Sequence, residues 1–230
     1  MDVRFFTRSS LLIACIIALS SCDSDESNTS RVSIGRGDTL LVLTEQQYQK
    51  PIAIQLSRED GAPQANTSVN VKLKTIEYNK GFYSFSNDIN GDGSADQWSI
   101  NVSATCAKED VNENGILDAG EDTNLNGILE PKSPTVTQHP NDIPTLTAGT
   151  SSLITDDNGF GYFTITYPKS EAGWVKIELT VTAQDGLPEN VGKDTFWLPV
   201  LISDISDPAN DPPGGITGPY GVANTCTDPA

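Results

Sequence analysis

Residues 110–133 run DVNENGILDAGE and then DTNLNGILEPKS, one acidic twelve-residue pattern written twice in tandem. Asp110, Asn112, Asn114, Gly115 and Asp118 return as Asp122, Asn124, Asn126, Gly127 and Glu130. Oxygen-bearing side chains at alternate positions, with Gly at the sixth for a sharp turn, let a chain wrap a hard divalent cation. In the first loop Asp110, Asn112 and Asn114 are expected to supply side-chain oxygens and Ile116 its carbonyl. Asp118 acts directly or through water, and Glu121 closes the shell as a bidentate carboxylate. In the second loop Asp122, Asn124, Asn126, the Ile128 carbonyl and Glu130 repeat the arrangement. Its twelfth position is Ser133, so this site is expected to be weaker or to draw a carboxylate from elsewhere. A third candidate, Asp88, Asn90, Asp92 and Asp96, has the spacing but places Ser99 at the closing position. Calcium is the cofactor this chemistry predicts.

Glu121 and Asp122 are adjacent, so no helix fits between the two loops. The tandem therefore resembles thrombospondin type 3 and dockerin repeats, whose loops are EF-hand-like, more than the paired helices of calmodulin. A sensor that swings a helix pair open is not expected; a structural clip is. Without a cation this acidic stretch repels itself and has few apolar residues to bury, so metal-binding energy becomes folding energy. Leu117 and Leu129 are expected to pack inward beneath the loops.

The elements that position these loops read as strands. Long helical periodicity is absent, and alternation of period two recurs. Ile52, Ile54 and Leu56 alternate with polar residues, as do Val69, Val71 and Leu73. Trp98, Ile100, Val102, Ala104 and Cys106 share one parity, which predicts a buried Cys106. The pattern continues in Phe163, Ile165 and Tyr167, in Val175 through Ala183, and in Phe196, Leu198, Val200 and Ile202. Turn residues at 60–63, 157–159 and 185–188 punctuate these runs. About seven half-buried strands predict an all-β chain, a β-sandwich.

Ile54 through Pro63, followed by Val69-Asn70-Val71, resembles the start of bacterial Ig-like domains of the invasin and intimin type (Big-1-like), which run strand, Asp-x-x-Gly-x-Pro turn, strand. Thr155-Asp156-Asp157-Asn158-Gly159 resembles their T-D-x-N-G hairpin, and Ala172-Gly173-Trp174-Val175 the strand start that follows it. The matches cover roughly residues 38–70 and 150–202. The resemblance implies an extracytoplasmic Ig-like β-sandwich used as a stalk or adhesion module, not a catalyst. About eighty residues separate the two matching halves, and the simplest account is a calcium-binding insertion at about 107–150.

Arg4 and Arg8 precede the apolar run Leu11 to Leu19, which is too short to span a bilayer as a helix. The sequence Leu19-Ser20-Ser21-Cys22 resembles the lipobox of bacterial lipoproteins. That resemblance implies a signal peptide over 1–21, acylation of Cys22 and anchoring in a lipid bilayer of the cell envelope. Residues 22–34 then read as a polar tether, 35–202 as the sandwich, and 203–230, with Pro208, Pro212, Pro213 and Pro219, as an irregular tail. Export leaves Cys106 and Cys226 as one candidate disulfide. The net charge of −17 becomes −18 once Asp2, Arg4 and Arg8, a net +1, depart with the signal. Such acidity excludes nucleic acid as a partner and suits a protein that neutralises itself with cations.

Other signals point nowhere further. Arg36-Gly37-Asp38 spells an integrin-type tripeptide that arises readily by chance. His139 is the sole histidine, so neither a zinc site nor a Ser-His-Asp apparatus is expected. Trp98, Trp174 and Trp197 fall within strands, where core packing is the default. The functional expectation is an envelope lipoprotein that is not an enzyme, a calcium-stabilised structural, adhesion or assembly module with a protein or glycan partner. The alternative is a carbohydrate-binding or accessory lipoprotein.

Overall fold

The computed structural model describes residues 30–88, 91–92, 95–131, 135–138, 150–184 and 190–230. Cys22 and the segment expected to be a signal peptide lie outside them, as do Asn90, Ser133 and His139. Ten strands in two antiparallel sheets form a β-sandwich from the described residues. The first sheet is built on β3 (Gln47–Arg58), which pairs on one side with β8 (Phe160–Pro168). Along its other side β2 (Leu41–Thr44) and then β1 (Ser30–Gly35) follow one another. β6 (Thr135–Gln138) pairs with the far side of β8.

The second sheet is built on β4 (Ser68–Asn87), twenty residues long. β5 (Ala95–Ala107) and β7 (Thr150–Ile154) share one of its edges end to end, β7 beside Ser68–Lys72 and β5 beside Glu77–Asn87. β9 (Val175–Ala183) takes the opposite edge, with β10 (Val191–Trp197) outside it. The alternation in β9 is complete: Val175, Ile177, Leu179, Val181 and Ala183 are buried, and the residues between them are half-buried. Each of the Val, Ile and Leu side chains among them contributes roughly 1.5–3 kcal/mol. Opposite them Ile52, Ile54, Leu56, Phe163 and Ile165 complete the core.

The pairing of β9 with β4 stops at Tyr78, and the C-terminal segment fills the edge beyond it. Gly81 donates to the Gly221 carbonyl at 2.8 Å, Gly218 donates to the Gly81 carbonyl at 2.9 Å, and Tyr83 donates to Ile216 at 2.7 Å. Ile205 and Tyr220 are buried there, and Cys226 is joined to Cys106. Residues 203–230 are irregular, as their prolines predict, but they are packed against the sheet.

Several details depart from the sequence reading. The first strand begins at Ser30, inside the stretch assigned to the tether, because Val32 and Ile34 supply an alternating apolar face. The stretch assigned to the insertion contains β6, whose Thr-Val-Thr run suits a pleated edge. Val102 is exposed, since a bulge opposite Lys80 and Gly81 leaves Ser103 unpaired and breaks the parity of β5. β10 ends at Trp197, just before Pro199, which brings no N–H to a ladder, and Ile202 is 63% exposed in a short 3-10 turn. The Asp156–Gly159 turn is not a hairpin: it carries the chain from β7 in one sheet to β8 in the other. Asp156 still builds the turn, accepting from the N–H groups of Asn158 and Phe160.

Candidate metal centre

Residues 108–131 leave the end of β5 and form two loops of one conformation. The fourth residue of each, Glu113 and Leu125, is left-handed at φ 61° and 60°. The sixth, Gly115 and Gly127, has φ 74° in both, a region where a side chain is strained. The hydrogen bonds repeat as faithfully. Asp110 accepts from the N–H groups of Asn114 (3.0 Å) and Gly115 (2.9 Å), and Asp122 from those of Asn126 (3.1 Å) and Gly127 (2.9 Å). The Oδ1 atoms of Asn114 and Asn126 accept from Ile116 and Ile128.

Both Asn amides of each loop converge on its ninth residue. Asn112 and Asn114 donate through Nδ2 to Asp118 at 2.7 Å each, and Asn124 and Asn126 to Glu130 at 2.8 and 3.0 Å. These donors hold the Asp118 carboxyl below its ordinary range. For Glu130 burial prevails and raises it, assisted by the nearby charge of Glu109. Ile116 and Ile128 turn their side chains to solvent, and Leu117 and Leu129 are half-buried rather than core residues. The loops differ in depth: Asp118 is exposed, whereas Asn124 and Glu130 are buried.

Glu121 is buried and turned back over the first loop. It accepts from Val111 (2.9 Å) and Asn112 (3.3 Å) through one oxygen and from Asp118 (3.0 Å) through the other, while its own N–H donates to the Asp118 carbonyl. The sequence reading missed a counterpart. Glu109, 1% exposed, accepts from Thr123 at 2.9 Å and from Glu130 at 3.0 Å, and its N–H donates to the Glu130 carbonyl at 2.8 Å. The signal was present: Glu precedes the first Asp of each loop, as Glu109-Asp110 and Glu121-Asp122.

The oxygen-only donor set of carboxylates, amides and carbonyls fits calcium in kind. Asn112 can present its amide oxygen toward Asp118 without orphaning a backbone group, because Asn114 N–H has Asp110 as a second acceptor. Among the described residues no three His, Cys, Asp or Glu side chains converge into a preformed metal cluster. The third candidate is not assembled from described side chains: Asp88 and Asp92 are exposed, Asn90 lies outside the described residues, and Asp96 belongs to β5. Arg36 of the tripeptide pairs with Asp194 at 2.8 Å and lies 4.7 Å over the Phe196 ring.

No protein-family model matches the chain, and no curated protein matches it. Among solved structures it is similar to a DUF4466 family protein from Parabacteroides merdae, at 12% identity and a TM-score of 0.28. The alignment covers 74% of this chain and 43% of that one, so the chain spans less than half of its length.

Proposed function

We propose that the chain is an extracytoplasmic module, lipid-anchored through Cys22, whose β-sandwich carries two calcium-binding loops that brace it for adhesion or assembly. The observation that carries the calcium reading is the identity of the two loops in dihedral angles and hydrogen bonds, built from hard oxygen donors. Asp110, Asn112, Asn114, Ile116, Asp118 and Glu121 would hold one ion, and Asp122, Asn124, Asn126, Ile128 and Glu130 another. The ion would supply the positive charge that this acidic turn lacks. The invasin-like sequence matches and the lipobox support the envelope setting.

Thermal unfolding in calcium and in chelator tests the calcium reading. A site at about a hundred times its Kd adds about 2.7 kcal/mol. At about 2–4 °C per kcal/mol for a chain of this size, two filled sites raise the midpoint by roughly 10–20 °C. Equal midpoints would remove calcium from the account. Mass spectrometry of the envelope form tests the anchor: Cys22 is expected to carry acyl chains, and an unmodified Cys22 overturns it.

A second reading, glycan binding, is favoured by one feature. An open groove of about 830 Å³ between β1 and β10 is lined by Arg36, Asp38, Lys193, Asp194 and Trp197, which combine polar groups with an aromatic face. A glycan array that returns no ligand sinks it.

A further inference from the structure

Glu109 stands before the first loop in sequence, yet every contact of its side chain given above is with the second. Each of its three hydrogen bonds has a counterpart at Glu121, which also accepts from Asn112. Each Glu donates its N–H to the carbonyl of a loop's ninth residue (Asp118 for Glu121, Glu130 for Glu109). Each accepts from the ninth residue's N–H through one carboxylate oxygen and from the second residue's N–H, Val111 or Thr123, through the other. In a twelve-residue calcium loop the place Glu121 occupies belongs to the closing bidentate carboxylate. In the second loop the chain offers Ser133 at that position.

A separate feature marks the same spot. Tyr78 is fully buried and its hydroxyl has no hydrogen-bond partner among the described residues. Glu130 and Glu109 lie close enough for their charges to act on it. Two carboxylates and an orphan hydroxyl therefore share one buried region. Lys80 offsets part of that charge, but its ammonium donates to the Asp228 carbonyl. Burying two carboxylates together is unfavourable unless a cation joins them.

We propose that Glu109 is the closing ligand of a second calcium site made by Asp122, Asn124, Asn126, Ile128 and Glu130. This rests on the calcium reading above and deepens it: the second loop is closed from outside its own twelve residues, by the residue that leads into the first. The two sites are then interlocked, since Glu109 adjoins Asp110 while serving the second ion, and Glu121 adjoins Asp122 while serving the first. A chain cut between Glu121 and Asp122 would keep the first closure and part Glu109 from the second loop.

Calorimetric titration of calcium into the full chain tests this, with the amide resonances of Gly115 and Gly127 reporting which loop fills. The wild type is expected to take two ions. Glu109→Gln, which keeps the shape and one acceptor oxygen, is expected to weaken the Gly127 site tenfold or more and leave the Gly115 site within about threefold. Glu121→Gln is expected to do the reverse, and Ser133→Ala to change neither. A wild type that takes no calcium overturns the calcium reading and this proposal together. Two ions with Glu109→Gln matching the wild type overturns the proposal alone. So does a Glu109→Gln chain whose midpoint falls in chelator while its calcium affinities stand, because Glu109 would then be a backbone cap only.

Discussion

The Lys108 ammonium lies 2.9 Å from the Glu113 carboxylate, and that contact draws the first acidic loop back onto a residue that leads into it. Lys72 and Lys74 of β4 reach the same carboxylate at 2.5 and 3.6 Å. Glu113 is the left-handed fourth residue of its loop, so the backbone conformation aims the side chain back at three lysines. Hydrogen bonds from Lys72 and Lys108 hold its pKa at about 2, below the ordinary 4.5. A depressed carboxylate binds fewer protons folded than unfolded. Its contribution is therefore complete above about pH 4.5 and is lost as pH falls through about 2. Glu113→Gln is expected to raise amide exchange across residues 110–118 at pH 7 while leaving β9 protected. The difference from wild type should shrink as pH drops toward 2, and hydrogen exchange at pH 7 and pH 3 checks it.

The bond between Cys106 and Cys226 spans 120 residues of sequence and closes the C-terminal segment over the edge of β4. In the chain-entropy model a loop of that size stabilises by up to about 5 kcal/mol. Cys226→Ser is expected to lower the thermal midpoint, by roughly 10 °C where half or more of that value is realised. It should not release the whole segment. Tyr48 and Lys169 both hydrogen-bond to Asp204 (2.6 and 2.7 Å), which fixes the start of the segment independently of the disulfide. Limited proteolysis of the variant should therefore cut beyond Tyr220 before it cuts near Asp204.

Lys50 faces inward from β3 in line with Tyr48 and Ile52, where alternation alone predicts an apolar side chain. It donates to the carbonyls of Gly37 (2.6 Å) and Thr39 (3.0 Å), and burial lowers its pKa. Lys50→Met keeps the stem and removes the donor. It is expected to cost about 1–3 kcal/mol, because two carbonyls lose a charged partner. Chemical denaturation gives the value, and no change would mean that water satisfies both carbonyls.

Strand order and the second carboxylate account for what was and was not legible in the sequence. Alternation marked the core of β3, β8 and β9 because their core side chains recur at every second position, although β8 also buries Thr164 and Thr166 on its other face, and turn residues marked their ends. It could not tell that β7 and β8 enter different sheets, since a four-residue turn joins strands within a sheet or across two. The two repeated loops were legible one at a time, because most of their side-chain hydrogen bonds stay within twelve residues. Glu109 was not, because it acts through contacts twelve and more residues away, and a pattern that begins at Asp hides the residue before it. Lys50 and the pairing of the C-terminal segment along β4 escaped for a related reason: there the partners are backbone carbonyls and N–H groups, which leave no signature in side-chain pattern.

Gly81 carries the last prediction. It sits at the bulge between β4 and β5, and its φ of 152° falls where side chains are strained. A Cβ there would stand 2.0 Å from the Asn101 carbonyl oxygen, a backbone atom that cannot swing away. The same residue exchanges hydrogen bonds with Gly218 and Gly221, so moving the strand to make room also disturbs the C-terminal segment. Gly81→Ala is expected to cost about 2–4 kcal/mol, combining backbone strain with displaced pairing. Gly115→Ala meets nothing within 4 Å and suffers only its left-handed φ, so a cost of about 1–2 kcal/mol confined to the loop is expected. Denaturation midpoints of the two variants, compared side by side, separate steric conflict from conformational strain. Equal losses would mean that the bulge yields freely and that Gly81 is chosen for backbone freedom alone.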